Sequence, residues 1–258
     1  MTKVGLMGFG KTGRAVASVL LESEDVALKW VVRRSQSTLK TSISEHLGIN
    51  TQEPVSLFCS QTISVDDLLD QSPVDVIVDF SSSDGLEYYA QAAAARGVTI
   101  ASAVSQYSPQ QLDRLKQCAE STVVMHSPNI TLGINFLLMA AKILQEIAPF
   151  TDVEIVEEHF KSKPEVSGTA KVIAQTLDVD ADETKSIRAG GIIGAHEILF
   201  GFPYQTVRLK HESISREAFG NGILFAISHL RGKPIGFYSM QDLLQPLFLK
   251  HLEVQAWK

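Results

Sequence analysis

A glycine-rich turn constrains the fold of this chain more than any other feature of its sequence. The spacing G-x-G-x-x-G stands between an apolar run and a helical pattern, in the residues Gly8, Phe9, Gly10, Lys11, Thr12 and Gly13. The first glycine permits a tight turn, the second lets backbone approach a pyrophosphate, and the third lets strand and helix pack closely. The motif therefore predicts a βαβ unit whose helix amides face the phosphates of a dinucleotide. The alternative is a structural glycine turn without a cofactor.

Short apolar runs alternate with helical patterns through the first half of the chain, which is typical of βαβ units. The apolar runs predict strands at residues 4–8, 26–32, 74–80, 98–103 and 122–126. Helical patterns lie between them at residues 12–21, 84–96 and 109–119. Continuous apolar runs indicate strands covered on both faces, so we predict an α/β fold with a Rossmann-like parallel sheet.

The pattern changes near Pro128 and Asn129, where no linker composition marks a boundary. A long apolar helix is predicted at residues 132–147, followed by a strand at 152–158 and a helix beginning near Ser167. Residues 185–189, 195–201 and 206–211 resemble antiparallel strands separated by turn residues. This part of the chain predicts an α+β domain, whereas the tail after Leu244 carries no motif that places it.

Charge and composition favour a small-molecule partner. The formal charge is −6 and no Lys/Arg run stands out, so nucleic acid binding has little support. Cys59 and Cys118 lie far apart and outside any Cys/His cluster, which indicates neither a disulfide nor a metal site. No apolar run approaches the roughly 18 residues of a membrane span. We expect a cytoplasmic protein without an export signal or membrane anchor.

The end of the second predicted strand bears on the choice of cofactor. An acidic residue there would bind the ribose hydroxyls of NAD, but this chain has Arg33 and Arg34 followed by Ser35. A guanidinium pairs with a 2′-phosphate and stacks on adenine, so the sequence favours NADPH. NADH as a second cofactor remains open, as does a role for the two arginines in keeping a surface loop solvated.

Further motifs follow in order along nearly the whole chain. They are V-I-V-D-F-S at 76–81, S-P-N-I-T-L-G-I-N at 127–135, E-E-H-F-K-S-K at 157–163, S-G-T-A at 167–170, S-I-R-A-G at 186–190, G-A-H-E at 194–197, S-R-E-A-F at 215–219 and G-F-Y-S-M at 236–240. Together they resemble the dihydrodipicolinate reductase family of lysine and diaminopimelate synthesis, which reduces 4-hydroxy-tetrahydrodipicolinate.

The resemblance implies two domains, a cleft between them that hydride crosses, and a homotetramer. Residues 1–128 with 231–258 would form the dinucleotide-binding domain, and residues 129–230 an inserted α+β domain for substrate and tetramerisation. Phe80 would lie near the nicotinamide, and Pro128 with Asn129 at the hinge. The implied cofactor-binding residues are Gly8, Phe9, Gly10, Lys11, Thr12, Gly13, Arg33, Arg34, Phe80, Ser81, Ala103 and Asn129.

The chemistry that the resemblance implies needs a proton donor, because hydride addition to a conjugated imine leaves an enamine or carbanion equivalent. His159 fits that role since an imidazole titrates near neutral pH. Lys163 supplies positive charge for a carboxylate of a small anionic substrate and can share the acid role. Substrate contacts are further expected at Ser167, Gly168 and Thr169, which open a helix, and at Arg216. The alternatives are a structural histidine at a strand end and an arginine in a structural ion pair.

The sequence departs from the family pattern around the substrate. Phe160 replaces a second histidine, the segment between Lys163 and Ser167 is one residue short, and Val166 stands where proline is expected. S-A-V-S-Q-Y at 102–107 replaces a G-T-T-G-F stretch. Changes concentrated at a pocket are what a shift of substrate would produce. Two alternatives follow: a reductase of another cyclic imine or unsaturated carboxylate, and a cofactor-binding sensor without catalysis.

Overall fold

The computed structural model describes residues 1–36, 41–51 and 53–254. A seven-stranded parallel sheet dominates the first part, in the order β11-β6-β5-β4-β1-β2-β3. Its strands are β1 (Thr2–Met7), β2 (Val26–Arg33), β3 (Ser56–Cys59), β4 (Val76–Asp79), β5 (Thr99–Ser102), β6 (Val123–His126) and β11 (Gly236–Tyr238). The helices around it are α1 (Lys11–Glu22), α2 (Ile43–Leu47), α3 (Val65–Gln71), α4 (Leu86–Ala95), α5 (Pro109–Cys118), α8 (Glu217–Leu230) and α9 (Met240–Val254).

The central strands of this sheet are buried on both faces, as their continuous apolar runs predicted. All four residues of β4 are buried, and so are the last four of β1. The indole of Trp30 packs directly over Gly5, where a Cβ would lie 2.2 Å from the ring, and its Nε1 donates to the Ser72 carbonyl. This packing fixes β2 against β1, and with it the turn that follows β1.

Two sheet strands, β3 and β11, and four helices, α2, α3, α8 and α9, were not predicted from the sequence. The edge strands β3 and β11 are only four and three residues long, and each is partly exposed, so neither carries a continuous apolar run. The short helices α2 and α3 begin at the capping serines Ser42 and Ser64. The tail after Leu244 continues as helix α9, which contains Pro246.

The second part of the chain forms a four-stranded mixed sheet in the order β10-β9-β7-β8. Its strands are β7 (Asp152–His159), β8 (Lys185–Arg188), β9 (Ala195–Gly201) and β10 (Thr206–Glu212), and its helices are α6 (Leu132–Ile147) and α7 (Gly168–Thr176). Apolar side chains of β7 and β9 pack with α6 and α7 around Ile155, Ile173 and Phe200. The prediction of three antiparallel strands is wrong for β8, which pairs parallel to β7 because α7 carries the chain across between them.

The chain divides into two compact units, Met1–Ile130 with Phe219–Lys258, and Thr131–Ala218. The sequence interpretation placed the α8 residues in the inserted domain, whereas most of α8 packs as part of the first unit. Gly220 of α8 lies so close to Val19 of α1 that a Cβ there would be 2.6 Å from the valine. The functional limits at residues 128 and 231 stay a prediction. None of the helices in the described ranges has both the length and the apolar character to cross a membrane.

Candidate functional site

The glycine loop of the first unit is closely packed against neighbouring backbone at two of its glycines and open at the third. Gly8 has a φ of +98°, and a Cβ there would lie 2.6 Å from the Phe80 carbonyl oxygen. A Cβ on Gly13 would lie 2.2 Å from the Gly8 carbonyl, whereas one on Gly10 would meet nothing within 4 Å. No side chain among the described residues caps the start of α1, and its first turn carries no acidic residue. These amides therefore suit a pyrophosphate.

A cavity of about 380 Å³ opens beside this loop at the carboxyl ends of the strands, where ligands of parallel sheets bind. Of the predicted cofactor-binding residues, it is lined by Gly8, Phe9, Gly10, Arg33, Arg34, Phe80 and Ser81. The structure does not bring Lys11, Thr12, Gly13, Ala103 or Asn129 to its lining. Phe9 is 4% exposed, so its side chain belongs mainly to the core of the first unit. A second cavity of about 350 Å³ lies at the amino ends of the strands, away from this site.

An ion pair at the rim of the cavity involves one of the two arginines predicted to select the cofactor. The Arg34 Nη2 atom lies 2.6 Å from an Asp84 carboxylate oxygen, and both side chains are more than half exposed. Arg33 instead donates to the Ser35 hydroxyl at 2.9 Å. Asp84 also lines the cavity, so a carboxylate accompanies the arginines at the place where a ribose 2′-group is expected.

A buried carboxyl group supports the wall of the cavity from beneath. Asp79 ends β4 with 0% exposure and accepts hydrogen bonds from the Ser81 amide at 2.8 Å, the Ser81 hydroxyl at 2.6 Å and the Tyr89 hydroxyl at 2.9 Å. Burial raises the pKa of Asp79, although these hydrogen bonds oppose the shift. The network fixes the turn of Phe80 and Ser81 that touches Gly8.

The altered stretch at residues 102–107 joins the same network. The Tyr107 hydroxyl lies 2.8 Å from the Ser102 Oγ and 3.4 Å from the Asp79 carboxyl, and burial raises the pKa of Tyr107. The Ala103 amide donates to the Asp79 carbonyl at 2.9 Å. The polar tip of Tyr107 therefore holds this stretch to the end of β4.

His159 is the centre of a buried polar cluster in the second unit. It ends β7 at 8% exposure, and its Nδ1 forms a short contact with a carboxylate oxygen of Glu157, which is 0% exposed. Burial lowers the pKa of His159, as do the charges of Lys163 and Arg188, whereas the hydrogen bond and charge of Glu157 raise it. The positive charges of Lys163 and Arg188 therefore act on the imidazole, which favours a substrate carboxylate in the same surroundings.

A second histidine supports the helix start predicted to bind substrate. Ser167 caps α7 by accepting from the Ala170 amide at 2.9 Å, and its Oγ lies 2.7 Å from His196 Nε2. Burial is the main cause that lowers the pKa of His196 to about 4, so this imidazole is neutral near pH 7. Its ring meets the His159 ring edge-on at 5.3 Å. Gly168 is exposed at the first position of α7 and Thr169 follows it, so the predicted Ser-Gly-Thr turn borders the His159 cluster.

Sequence reasoning missed several members of this site. Arg188, Ser186, His196 and Glu157 all lie in family-like motifs, but none of them was predicted to take part in binding or catalysis. The signal for Glu157 was the strand period of two, because it follows the inward residues Val153 and Ile155 and precedes His159. Arg216, predicted to contact substrate, is exposed just before α8. Within the described ranges no group of three or more His, Cys, Asp or Glu side chains is placed to hold a metal ion.

A glycine loop at the end of the first strand of a parallel sheet, with a histidine–carboxylate site in a second unit, is an arrangement found in dinucleotide-dependent oxidoreductases. The family model for the N-terminus of dihydrodipicolinate reductase matches residues 2–130, and the model for its C-terminus matches residues 129–244. The chain belongs to the dihydrodipicolinate reductase family.

Individual relatives agree with this membership. A protein named 4-hydroxy-tetrahydrodipicolinate reductase from Rickettsia bellii (strain OSU 85-389) is 30% identical over 197 residues, covering 69% of this chain and 79% of the relative. One of the same name from Myxococcus xanthus (strain DK1622) is 26% identical over 260 residues, covering 91% and 94%. A solved structure described as dipicolinate-bound dihydrodipicolinate reductase from Paenisporosarcina sp. TG-14 has a TM-score of 0.75 at 22% identity, covering 93% and 97%.

These findings confirm the predicted family, the fold class and the assignment to NAD(P)H-dependent oxidoreductases. They support a nicotinamide dinucleotide as cofactor without deciding between its two forms. The roles of individual site residues and the homotetramer stay predictions.

Proposed function

We propose that this chain reduces 4-hydroxy-tetrahydrodipicolinate, with His159 as proton donor and Lys163 as the cation for a substrate carboxylate. Family models that together span residues 2–244 support the reaction. The observation that carries the residue roles is the buried His159 imidazole, which is bonded to the Glu157 carboxylate and feels the charges of Lys163 and Arg188. A buried histidine with only structural duties has no need of the positive charge of Lys163, which disfavours its protonated form.

The residues of the second unit supply binding and proton transfer. A reduced nicotinamide dinucleotide, when bound, supplies the hydride. His159 delivers a proton to the carbon that gains electron density, and Lys163 offsets the charge of one carboxylate. The backbone amides at the start of α7, at Gly168 and Thr169, hold a second carboxylate, because the start of a helix favours an anion. Neutral His196 keeps Ser167 in its capping position.

We further propose that NADPH is the preferred cofactor, with NADH also used. Arg33 and Arg34 line the cavity at the position where a 2′-phosphate would need a cation. The Asp84 carboxylate competes for Arg34 and repels a phosphate, which reduces the preference. Assembly as a homotetramer is likewise proposed, on the family resemblance.

The test is oxidation of NADPH and NADH by the purified protein with freshly generated 4-hydroxy-tetrahydrodipicolinate. His159→Ala should lower kcat by roughly 10²- to 10⁴-fold, the contribution of a general acid. Lys163→Ala should chiefly raise KM, because it removes charge that binds substrate. Binding of NADPH, followed by fluorescence, should stay unchanged in both variants. Lys161→Ala, an exposed lysine in the same loop, is the matched control and should keep full activity.

Phe160 favours a second candidate, a related cyclic imine or unsaturated carboxylate. This side chain is 39% exposed where the family pattern has a second histidine, so it offers an apolar surface to a ligand beside His159. If the wild type binds NADPH and leaves 4-hydroxy-tetrahydrodipicolinate unreduced, the first proposal is wrong. Cyclic imines with fewer charged groups are then the compounds to screen.

A further inference from the structure

A carboxylate that no water reaches occupies the inner face of β7. Glu157 has 0% exposure, and an ionised carboxylate in such a place is costly unless donors surround it. Its Oε1 accepts from the Ser186 hydroxyl at 2.6 Å and from Arg188 Nη2 at 2.5 Å. Its Oε2 contacts His159 Nδ1. Burial raises the pKa of Glu157, but the hydrogen bonds from Arg188, Ser186 and His159 outweigh burial and lower it, so the group is a carboxylate at neutral pH.

The protonation of Glu157 determines which nitrogen of His159 carries a proton. An ionised carboxylate only accepts hydrogen bonds, so Nδ1 of the imidazole must donate. Neutral His159 then has its lone pair on Nε2, and a proton that it takes up and releases sits on that atom. Nε2 faces Gly194, and a Cβ added to Gly194 would lie only 3.0 Å from this nitrogen. A residue without a side chain therefore stands next to Nε2.

The donors on Glu157 also reach the loop that carries Lys163. Arg188 Nε donates to the Lys163 carbonyl at 3.1 Å, and Arg188 Nη2 donates to the Glu165 carbonyl at 2.8 Å. One guanidinium on β8 therefore links the Glu157 carboxylate to two backbone carbonyls of the loop between β7 and α7. The orientation of His159 and the position of Lys163 depend on the same side chain.

We propose that Glu157, held by Ser186 and Arg188, is a positioning residue that fixes His159 as the Nδ1–H tautomer and makes Nε2 the proton-delivering atom. The inference rests on the proposed function of His159 and deepens it. Glu157 itself touches neither substrate nor cofactor in this proposal. It acts through His159 alone, in the way that a carboxylate orients an imidazole in many hydrolases.

Several charged or titratable groups face His159 and enter any pH dependence. Glu157 on β7 favours the imidazolium, whereas Lys163 on the loop and Arg188 on β8 disfavour it. His196 on β9 meets the ring edge-on, and His211 on β10 pairs in register with His196. Of these groups, Glu157 is the one that bonds directly to the imidazole, so its removal should act on His159 most strongly.

The primary test needs neither substrate nor turnover. Histidine side-chain nitrogen and carbon shifts are recorded by NMR across pH 4–9, and His159 is assigned from the spectrum of His159→Gln. We expect wild-type His159 to be the Nδ1–H tautomer when neutral. In Glu157→Gln its pKa should fall because the anion is gone, and the tautomer preference should weaken. Glu154→Gln is the matched control, since Glu154 lies on the same strand in an exposed pair with Lys185.

Kinetics then separate positioning from mere support of the fold. Glu157→Gln should lower kcat by roughly 10²-fold, the low end of a general acid's contribution, with KM and NADPH binding nearly unchanged. The high-pH limb of kcat should move to lower pH, which a purely structural residue would not cause. A wild-type Nε2–H tautomer overturns the inference even if Glu157→Gln fails to fold. An unshifted His159 pKa in a folded Glu157→Gln protein overturns it as well. If the reaction fails but the tautomer holds, the proposed substrate is at fault and the positioning role stands.

Discussion

At the rim of the dinucleotide cavity, the Arg34 guanidinium is already paired with the Asp84 carboxylate. An exposed pair of this kind adds little to stability, about 0–1 kcal/mol, so its consequence lies in binding. A 2′-phosphate must compete with Asp84 for the guanidinium. The two residues should therefore affect NADPH in opposite directions.

Asp84→Asn is expected to lower the KM for NADPH roughly three- to tenfold, because it frees Arg34 and removes a like charge. Arg34→Met is expected to raise that KM roughly ten- to hundredfold, the value of a charge-assisted hydrogen bond. The KM for NADH, which lacks the phosphate, is the internal control in both variants. Equal changes for NADPH and NADH would show that Arg34 contacts the shared part of the cofactor instead.

Single residues also show where sequence reasoning stops. His159 and Lys163 could be proposed from residue chemistry and a family motif. Glu157 was missed, because an acidic residue next to Glu158 is ordinarily taken for part of a solvated strand face, although the strand period of two places Glu157 on the inward side with Ile155. The pairing of Arg34 with Asp84 joins residues 50 positions apart, so it depends on the folded arrangement of two loops.

The start of α1 allows a test of what each glycine of the motif does. A Cβ on Gly13 would collide with the Gly8 backbone, which cannot move without separating α1 from β1. Gly13→Ala should therefore destabilise the fold by about 1–3 kcal/mol, as overpacked sites do. A Cβ on Gly10 meets open space, so Gly10→Ala should keep the wild-type unfolding midpoint.

Cofactor binding separates the two variants further. Gly10→Ala should still weaken NADPH binding roughly tenfold or more, because the new methyl group stands where backbone must approach the pyrophosphate. Thermal unfolding with and without NADPH measures both effects in one experiment. Full cofactor stabilisation of Gly10→Ala would place the phosphates elsewhere along the loop.

Elements with strong local patterns were predicted well, and those defined by their neighbours were not. Helix α6 begins and ends where its apolar period begins and ends. The edge strands β3 and β11 are defined by their pairing with β2 and β6. No local sequence pattern predicts that pairing. The direction of β8 could have been inferred, because a helix between two strands is the usual connection of a parallel pair.

The stability of the whole molecule should depend on pH through its buried histidines. The pKa of His196 is about 4 in the folded chain, against an ordinary 6.5. A group with a lowered folded pKa contributes stability above its unfolded value, and that stability is lost as the pH falls. Burial lowers the pKa values of His126, His159 and His211 too, so these act in the same direction. Asp79 acts oppositely, because its folded pKa is raised.

The free energy of unfolding should fall between pH 7 and pH 5, and His196 alone should account for about 2 kcal/mol of the loss. In this interval the unfolded chain binds a proton at His196, whereas His196 of the folded chain stays neutral. Urea unfolding followed by far-UV circular dichroism at both pH values measures the difference. His196→Gln should reduce the loss by that amount, whereas the exposed His46→Gln should leave it unchanged. An equal loss in His196→Gln and the wild type would mean that His196 accepts its proton within the folded cluster, and the neutral partner assigned to Ser167 would then be wrong.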